Sequence, residues 1–126
     1  MSDFQTELMQ HFAQVTGVPV MQHRPRASED VPPAWVQVER AGGRAGLASD
    51  RPLYTVIFWA ESQPRVDKLA AALRLHFIHK LPPRIGGFLI TAHSEAAAPV
   101  DNSLPGATQE SLRWLIEVQH SHGRKE

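Results

Sequence analysis

Apolar residues recur at helical spacing from the start of the chain, where Phe4, Leu8, Phe12 and Val15 share one face over Asp3 to Thr16. Ser2 and Gln5 stand as a capping box before them, and Gly17 sits where a helix stops, so a short amphipathic helix is predicted. Val18 to Met21 is β-branched but holds Pro19, which predicts a weak edge strand or an extended connection. Pro25, Pro32 and Pro33 then mark a polar loop. Ala34 to Arg40 alternates incompletely, with Gln37 and Glu39 on a wetter face, and predicts a strand. Gly42, Gly43, Gly46 and Ser49 break the pattern after it, so Ala41 to Asp50 reads as a flexible, hairpin-like loop. Arg51 to Ala60 is the strongest strand of the sequence, apolar on both faces, and belongs in the middle of a sheet.

Ser62 offers an N-cap and Pro64 fits a first helical turn. Val66, Leu69, Ala70, Leu73 and Phe77 trace one stripe that ends before Pro82 and Pro83, which predicts a main helix of about five turns. Phe88 to Thr91 is a short strand, and His93 to Gln109 a long connection. Ser111 to Gln119 alternates well, with Leu112, Trp114, Ile116 and Val118 inward and Arg113, Glu117 and Gln119 outward. Residues 120–126 read as a frayed tail. The order is α, weak β, β, β, α, β, β. It predicts an α/β (α+β) domain: a small, mixed, mostly antiparallel sheet of three to five strands with two helices packed on one face. Tyr54, Thr55, Arg113 and Gln119 are the side chains its outer face would show.

Length and composition narrow the class. At 126 residues the chain has room for one domain, residues 1–126, and one core. No cysteine is present, which removes disulfides and thiolate zinc sites. Thirteen basic and thirteen acidic side chains cancel, which is not the footprint of a dedicated nucleic-acid or anionic-membrane binder. The longest apolar run, Val56 to Ala60, falls far short of a membrane span, and the first residues lack a basic start and an apolar signal core, so a cytosolic origin is expected.

Candidate chemistry is sparse. Of seven histidines, His76 with His79 and His120 with His122 could each supply two metal ligands, but no H-E-x-x-H or comparable spacing adds a third. No G-x-S-x-G elbow surrounds Ser94, Ser103 or Ser111. Glu95, Asp101 and Glu110 would act as paired carboxylates only if the long connection folded back on itself. The glycines at 42, 43 and 46 have neither phosphate-loop spacing nor a following helix. Trp35, Trp59 and Trp114 stand beside aliphatic strand residues, where packing is the commoner use. Arg40, Arg44 and Arg51 flank the glycines with Glu39 and Asp50 among them, a mixture suited to salt bridges between subunits. Two connections this long in so small a domain point to docking on other chains.

The segments VPPAWVQVERAGG, DRPLYTVIFWAESQPRVDKLAAALRLHF and SLRWLIEVQH carry, in order, a Pro-rich lead into a strand ending V-x-R-x-G-G, a D-R-P-x entry to an apolar strand ending W-A, a helix opened by Ser, and a last strand after a long loop. Over Val31 to His120 this resembles the tail terminator (tail completion) proteins of long-tailed bacteriophages, the family of the lambda tail terminator. The chain departs from that pattern at Pro99, Val100 and Asp101, where the family has a Pro-Asp pair. The resemblance implies a virion structural protein, not an enzyme, that needs no cofactor or metal. It would be assembled in the host cytoplasm and sit at the head-proximal end of a siphovirus tail. There it would form a homohexameric ring that caps the tail tube, ends tube polymerisation and joins tail to head. Its partners would be copies of itself, the major tail tube protein and a head completion or neck protein, with no membrane. DNA would pass through the lumen without specific binding, and a neutral chain suits a channel that must release DNA.

Loop length, mixed charge and family order together nominate Arg40, Gly42, Gly43, Arg44, Asp50 and Arg51 at the glycine loop as subunit or tube contacts. Ala96 to Leu104, including Pro99 and Asp101, is the second such segment. Two alternatives remain beside this reading: another phage neck or head–tail connector adaptor, and a small histidine-dependent metalloenzyme.

Overall fold

Asp3 caps the first helix, its Oδ1 accepting the backbone N–H of Thr6 at 2.9 Å. Helix α1 (Phe4–Thr16) runs from there to Gly17, whose left-handed φ of +73° lets its N–H close on the Ala13 carbonyl. The computed structural model describes residues 3–25, 30–45 and 49–121; Asp3 takes the N-cap place predicted for Ser2, which itself lies outside the described residues, and Gln5 donates to the Val38 carbonyl instead of closing a capping box. The chain continues through β1 (Val20–Met21), β2 (Ala34–Ala45), β3 (Ser49–Ala60), α2 (Gln63–His79), β4 (Arg84–Ile85), β5 (Phe88–Asp101) and β6 (Glu110–Ser121). The strands form one sheet in the order β1-β2-β3-β6-β5-β4. β1 pairs parallel to β2, and every other pairing is antiparallel.

Strand register explains the core. Val36, Phe58 and Leu112 form one cross-strand row, Val38, Val56 and Trp114 the next, and Arg40, Tyr54, Ile116 and Glu95 a third. Their apolar members join Phe4, Leu8 and Phe12 of α1 and Val66, Leu69, Ala70, Leu73 and Phe77 of α2 in one buried cluster. Both helices therefore cover the same face of the sheet, as the predicted stripes require. Trp114 and Phe77 meet edge-on at 5.2 Å, locking α2 to β6.

Several expectations are corrected. The sheet has six strands rather than three to five: the weak edge strand expected at Val18 to Met21 is β1, and β4, two residues at the opposite edge, is the strand not predicted. The glycine loop is mostly strand: β2 runs on to Ala45 through a bulge between Arg40 and Gly42, and β3 begins at Ser49. Residue 46, the last glycine of that run, lies outside the described residues. Gly43 is needed there, since at φ +114° a Cβ would run into the Arg51 carbonyl and the Pro52 Cα. The long connection from His93 shrinks to residues 102–109, because β5 extends to Asp101. Tyr54 lies in the core instead of on the outer face, and its burial pushes the phenol up to about 12. His120 belongs to β6 and is buried, so the frayed-tail reading fails at residues 120 and 121, while residues 122–126 lie outside the described residues.

Candidate assembly surface

The two nominated segments occupy diagonally opposed corners of the sheet. The β2–β3 hairpin reaches past the core as an arm beside the end of β6, where Asp50 pairs with His120. Ala96, Pro99 and Asp101 lie toward the far end of β5, two strands away from β3 and at the opposite end, where Asp101 pairs with Leu112. Leu104 follows in the connection. The tips of the two segments are thus far apart, while their bases approach across the outer face, where Ala41 of the arm and Ala97, Ala98 and Val100 of β5 line one cavity over Thr55 and Arg113.

Within the arm, Arg40 is exposed and donates from Nε to the Gly42 carbonyl at 2.6 Å. Arg51 reaches Glu117 of β6 at 3.3 Å in a pair whose side chains are 46% and 31% exposed. Such a pair is screened and exchangeable, with a net value of about 0–1 kcal/mol. Arg44 is in backbone register with Arg51, and its side chain lies outside the described set. In β5, bulges fall between Ile90 and Ala92, Glu95 and Ala97, and Ala97 and Val100, so Pro99 sits in irregular backbone that needs no ladder N–H from it. Asp101 accepts the Ser103 N–H at 3.0 Å, which holds its carboxyl below the usual carboxylate range.

Sequence reasoning does not find the clamp that fixes β5. Arg74 of α2 grips Glu95 through Nε at 2.5 Å and a terminal nitrogen at 2.9 Å, and Trp114 Nε1 donates to the same carboxylate at 2.6 Å. Arg74 is the first cause that holds the Glu95 carboxyl low, aided by Trp114. The place of Arg74 between Leu73 and Phe77 along α2 gives no hint of it, since the partner lies on a segment that reads as loop.

The outer face has its own ordered patch. Trp35 and Trp59 stack at 5.5 Å, nearly parallel, and Arg24 lies 4.5 Å above the Trp59 ring. Trp59 Nε1 donates to Gln37, Trp35 Nε1 donates to Gln109, and Gln109 in turn donates to the Pro32 carbonyl at 2.8 Å. All three tryptophans are thus packing residues, but two of them serve the face away from the helices. Thr55, Arg113 and Gln119 lie on that outer face as predicted, in the alternate register to Tyr54, Leu112 and Val118.

The histidines pair differently from the predicted combinations. His76 turns to His11 of α1, with Nε2 to Nε2 at 2.9 Å, while His79 is exposed. Burial lowers both members of that pair first, with each also next to a second cation-forming group, His76 for His11 and Lys80 for His76. One neutral imidazole is needed to accept the other's proton, so the pair is a helix-to-helix hydrogen bond. His120 stacks on Phe4 at 3.9 Å, and His122 is outside the described residues. Among the described residues, no group of three or more His, Asp or Glu side chains comes together to hold a metal ion. The three carboxylates weighed for acid–base work do not converge: Glu95 is clamped by Arg74, Asp101 is held in its own turn, and Glu110 pairs with Ala60 in the strand register. Among the described residues, no helix is long and apolar enough to cross a membrane.

Exposed large apolar side chains gather at two places. Val100 and Leu104 are 53% and 61% exposed at the far end of β5 and in the following connection. Leu75 and Ile78 are 56% and 41% exposed on the solvent side of α2. This second line, Lys68, Ala71, Leu75 and Ile78, was legible beside the core stripe, since its members are three or four residues apart. No protein-family model matches the chain, and no curated protein matches it at a significant level.

Proposed function

We propose that the chain is a structural subunit of a phage tail terminator: copies close into a six-membered ring on the head-proximal end of the tail tube, stop its growth and offer a surface to the neck of the filled head. The observation that carries this reading is the pair of unlike, exposed surfaces at opposed corners of one sheet, the arm from Arg40 to Arg51 and the stretch from Ala96 to Leu104. A ring needs a heterologous contact, in which one surface of each copy meets a different surface of the next and the rotation closes. The order of strand, arm, strand, helix and last strand supports the same reading through its resemblance to the terminator family. Formal neutrality favours DNA transit over retention.

In this role the protein acts by shape. The arm and the Ala96 to Leu104 stretch meet neighbouring copies or the tube, while the clamped sheet keeps their separation fixed. Adding the purified chain to polymerising tail tube protein tests the proposal. Tubes should stop elongating and carry a six-fold annulus at one end in electron micrographs. Continued elongation at stoichiometric addition overturns it, and a twelve-fold ring moves the chain to the connector class.

A further inference from the structure

The ring reading names no partner for the solvent side of α2, which is apolar on two sides. One line, Val66, Leu69, Leu73 and Phe77, is spent on the core. The other presents Leu75 and Ile78 to solvent, with Lys68 and Ala71 preceding them and His79 and Lys80 following, all exposed. Of the nearby charges Arg74 pairs with Glu95 and Arg65 with Glu61, while Asp67 accepts a neutral amide N–H from Gln63 and keeps its charge. The stripe therefore offers apolar surface with Asp67 and Lys68 at one end and His79 and Lys80 at the other.

The far end of β5 carries the second exposed apolar pair. Val100 and Leu104 are exposed on either side of the exposed Asp101 in sequence, Glu110 opens β6 after the connection, and Arg113 is the cross-strand neighbour of Val100. We infer that Val100, Asp101 and Leu104 of one copy dock on the Lys68, Leu75 and Ile78 stripe of the next, an inference that rests on the ring reading. Three arguments carry it. The two patches hold four of the six most exposed large apolar residues among those described, and burying them against each other removes both from water. Lys68 beside the stripe and Asp101 beside Val100 are exposed charges of opposite sign that can pair across the contact. One patch lies on the helix layer and the other at the end of the sheet, so pairing them is heterologous, as ring closure demands. Direct strand addition to β5 is the weaker route, because its three bulges interrupt the edge that a new strand would need.

The chain lacks cysteine, which makes the test clean. Leu75→Cys and Leu104→Cys each alter an exposed position and leave the core intact. The two variants are treated with a short bis-maleimide, singly and mixed, both in concentrated solution and on tail tubes. A covalent dimer in the mixture, absent from each variant alone, is the expected result, and the double variant should give a ladder ending at the closed ring. Lys68→Glu in the Leu75→Cys chain should reduce the mixed dimer several-fold, and high salt should do the same. Dimers in the single-variant samples, or none in the mixture while light scattering shows assemblies, overturn the contact. So does a chain that stays monomeric with and without tubes. Crosslinked rings that fail to stop tube growth would keep this contact and remove the terminator reading. Capped tubes without a mixed crosslink would do the reverse.

Discussion

Ala41 to Asp50 and His93 to Gln109 both read as loops; the described part of the first is strand and the second is strand as far as Asp101, yet they are held in different ways. β5 is clamped into the fold by a carboxylate that takes two bonds from Arg74 and one from Trp114. The described part of the arm is held by its own hairpin ladder, by Gly43, where a Cβ would run into the Arg51 and Pro52 backbone, and by the exposed pair of Arg51 with Glu117. The difference teaches that a strand reading weak in sequence can be fixed by one charged tie to a helix, whereas a hairpin outside the core rests on its own ladder.

Breaking the clamp at its apolar root should have the largest effect. Trp114→Ala removes a fully buried ring that packs on Phe58 and Phe77, and should cost about 3–5 kcal/mol in urea unfolding. Glu95→Gln tests the polar half and should cost about 2 kcal/mol at neutral pH, with β5 amides losing hydrogen-exchange protection before those of β3. Its pH dependence has a definite sign. The folded carboxyl titrates below its ordinary 4.5, so its contribution is full above that value and is lost as pH falls through the lowered one. Wild-type stability should therefore drop toward that of Glu95→Gln in acid, and parallel curves would remove the clamp from the account.

Effects on the arm should be smaller and local. Gly43→Ala forces an L side chain to φ +114° against the Arg51 backbone and should cost about 1–3 kcal/mol, read as lost protection in β2 beyond Arg40 while the core amides hold. Arg51→Glu should change monomer stability by less than about 1 kcal/mol, because the pair with Glu117 is exposed, yet weaken assembly on tail tubes. Normal tail capping by that variant would take the arm out of the interface. If Arg51→Glu unfolded the monomer and Glu95→Gln did not, the contrast between the two regions would be inverted.

Much of the fold was legible because burial leaves a period in the sequence. Phe4, Leu8 and Phe12 mark α1, Val66 to Phe77 mark the inner line of α2, and Leu112 to Val118 mark the inner side of β6, all as found. β5 was not legible past Thr91, because Ala, Ser, Glu and Pro have low strand preference and the bulges destroy its alternation. Tyr54 misleads for a related reason: its hydroxyl suggests solvent, while register with Arg40 and Ile116 puts it under α1, where Phe4 lies 6.4 Å away.

What the chain determines locally is where helices run, which side of most of its long strands is apolar, and that no cysteine is present. Those are short-range properties, set by caps, period and composition. Tertiary structure alone decided that Glu95 meets Arg74, that His11 meets His76, and that the arm and the far end of β5 lie at opposed corners. Each joins residues far apart along the chain, so it depends on strand order and register, which no local pattern encodes.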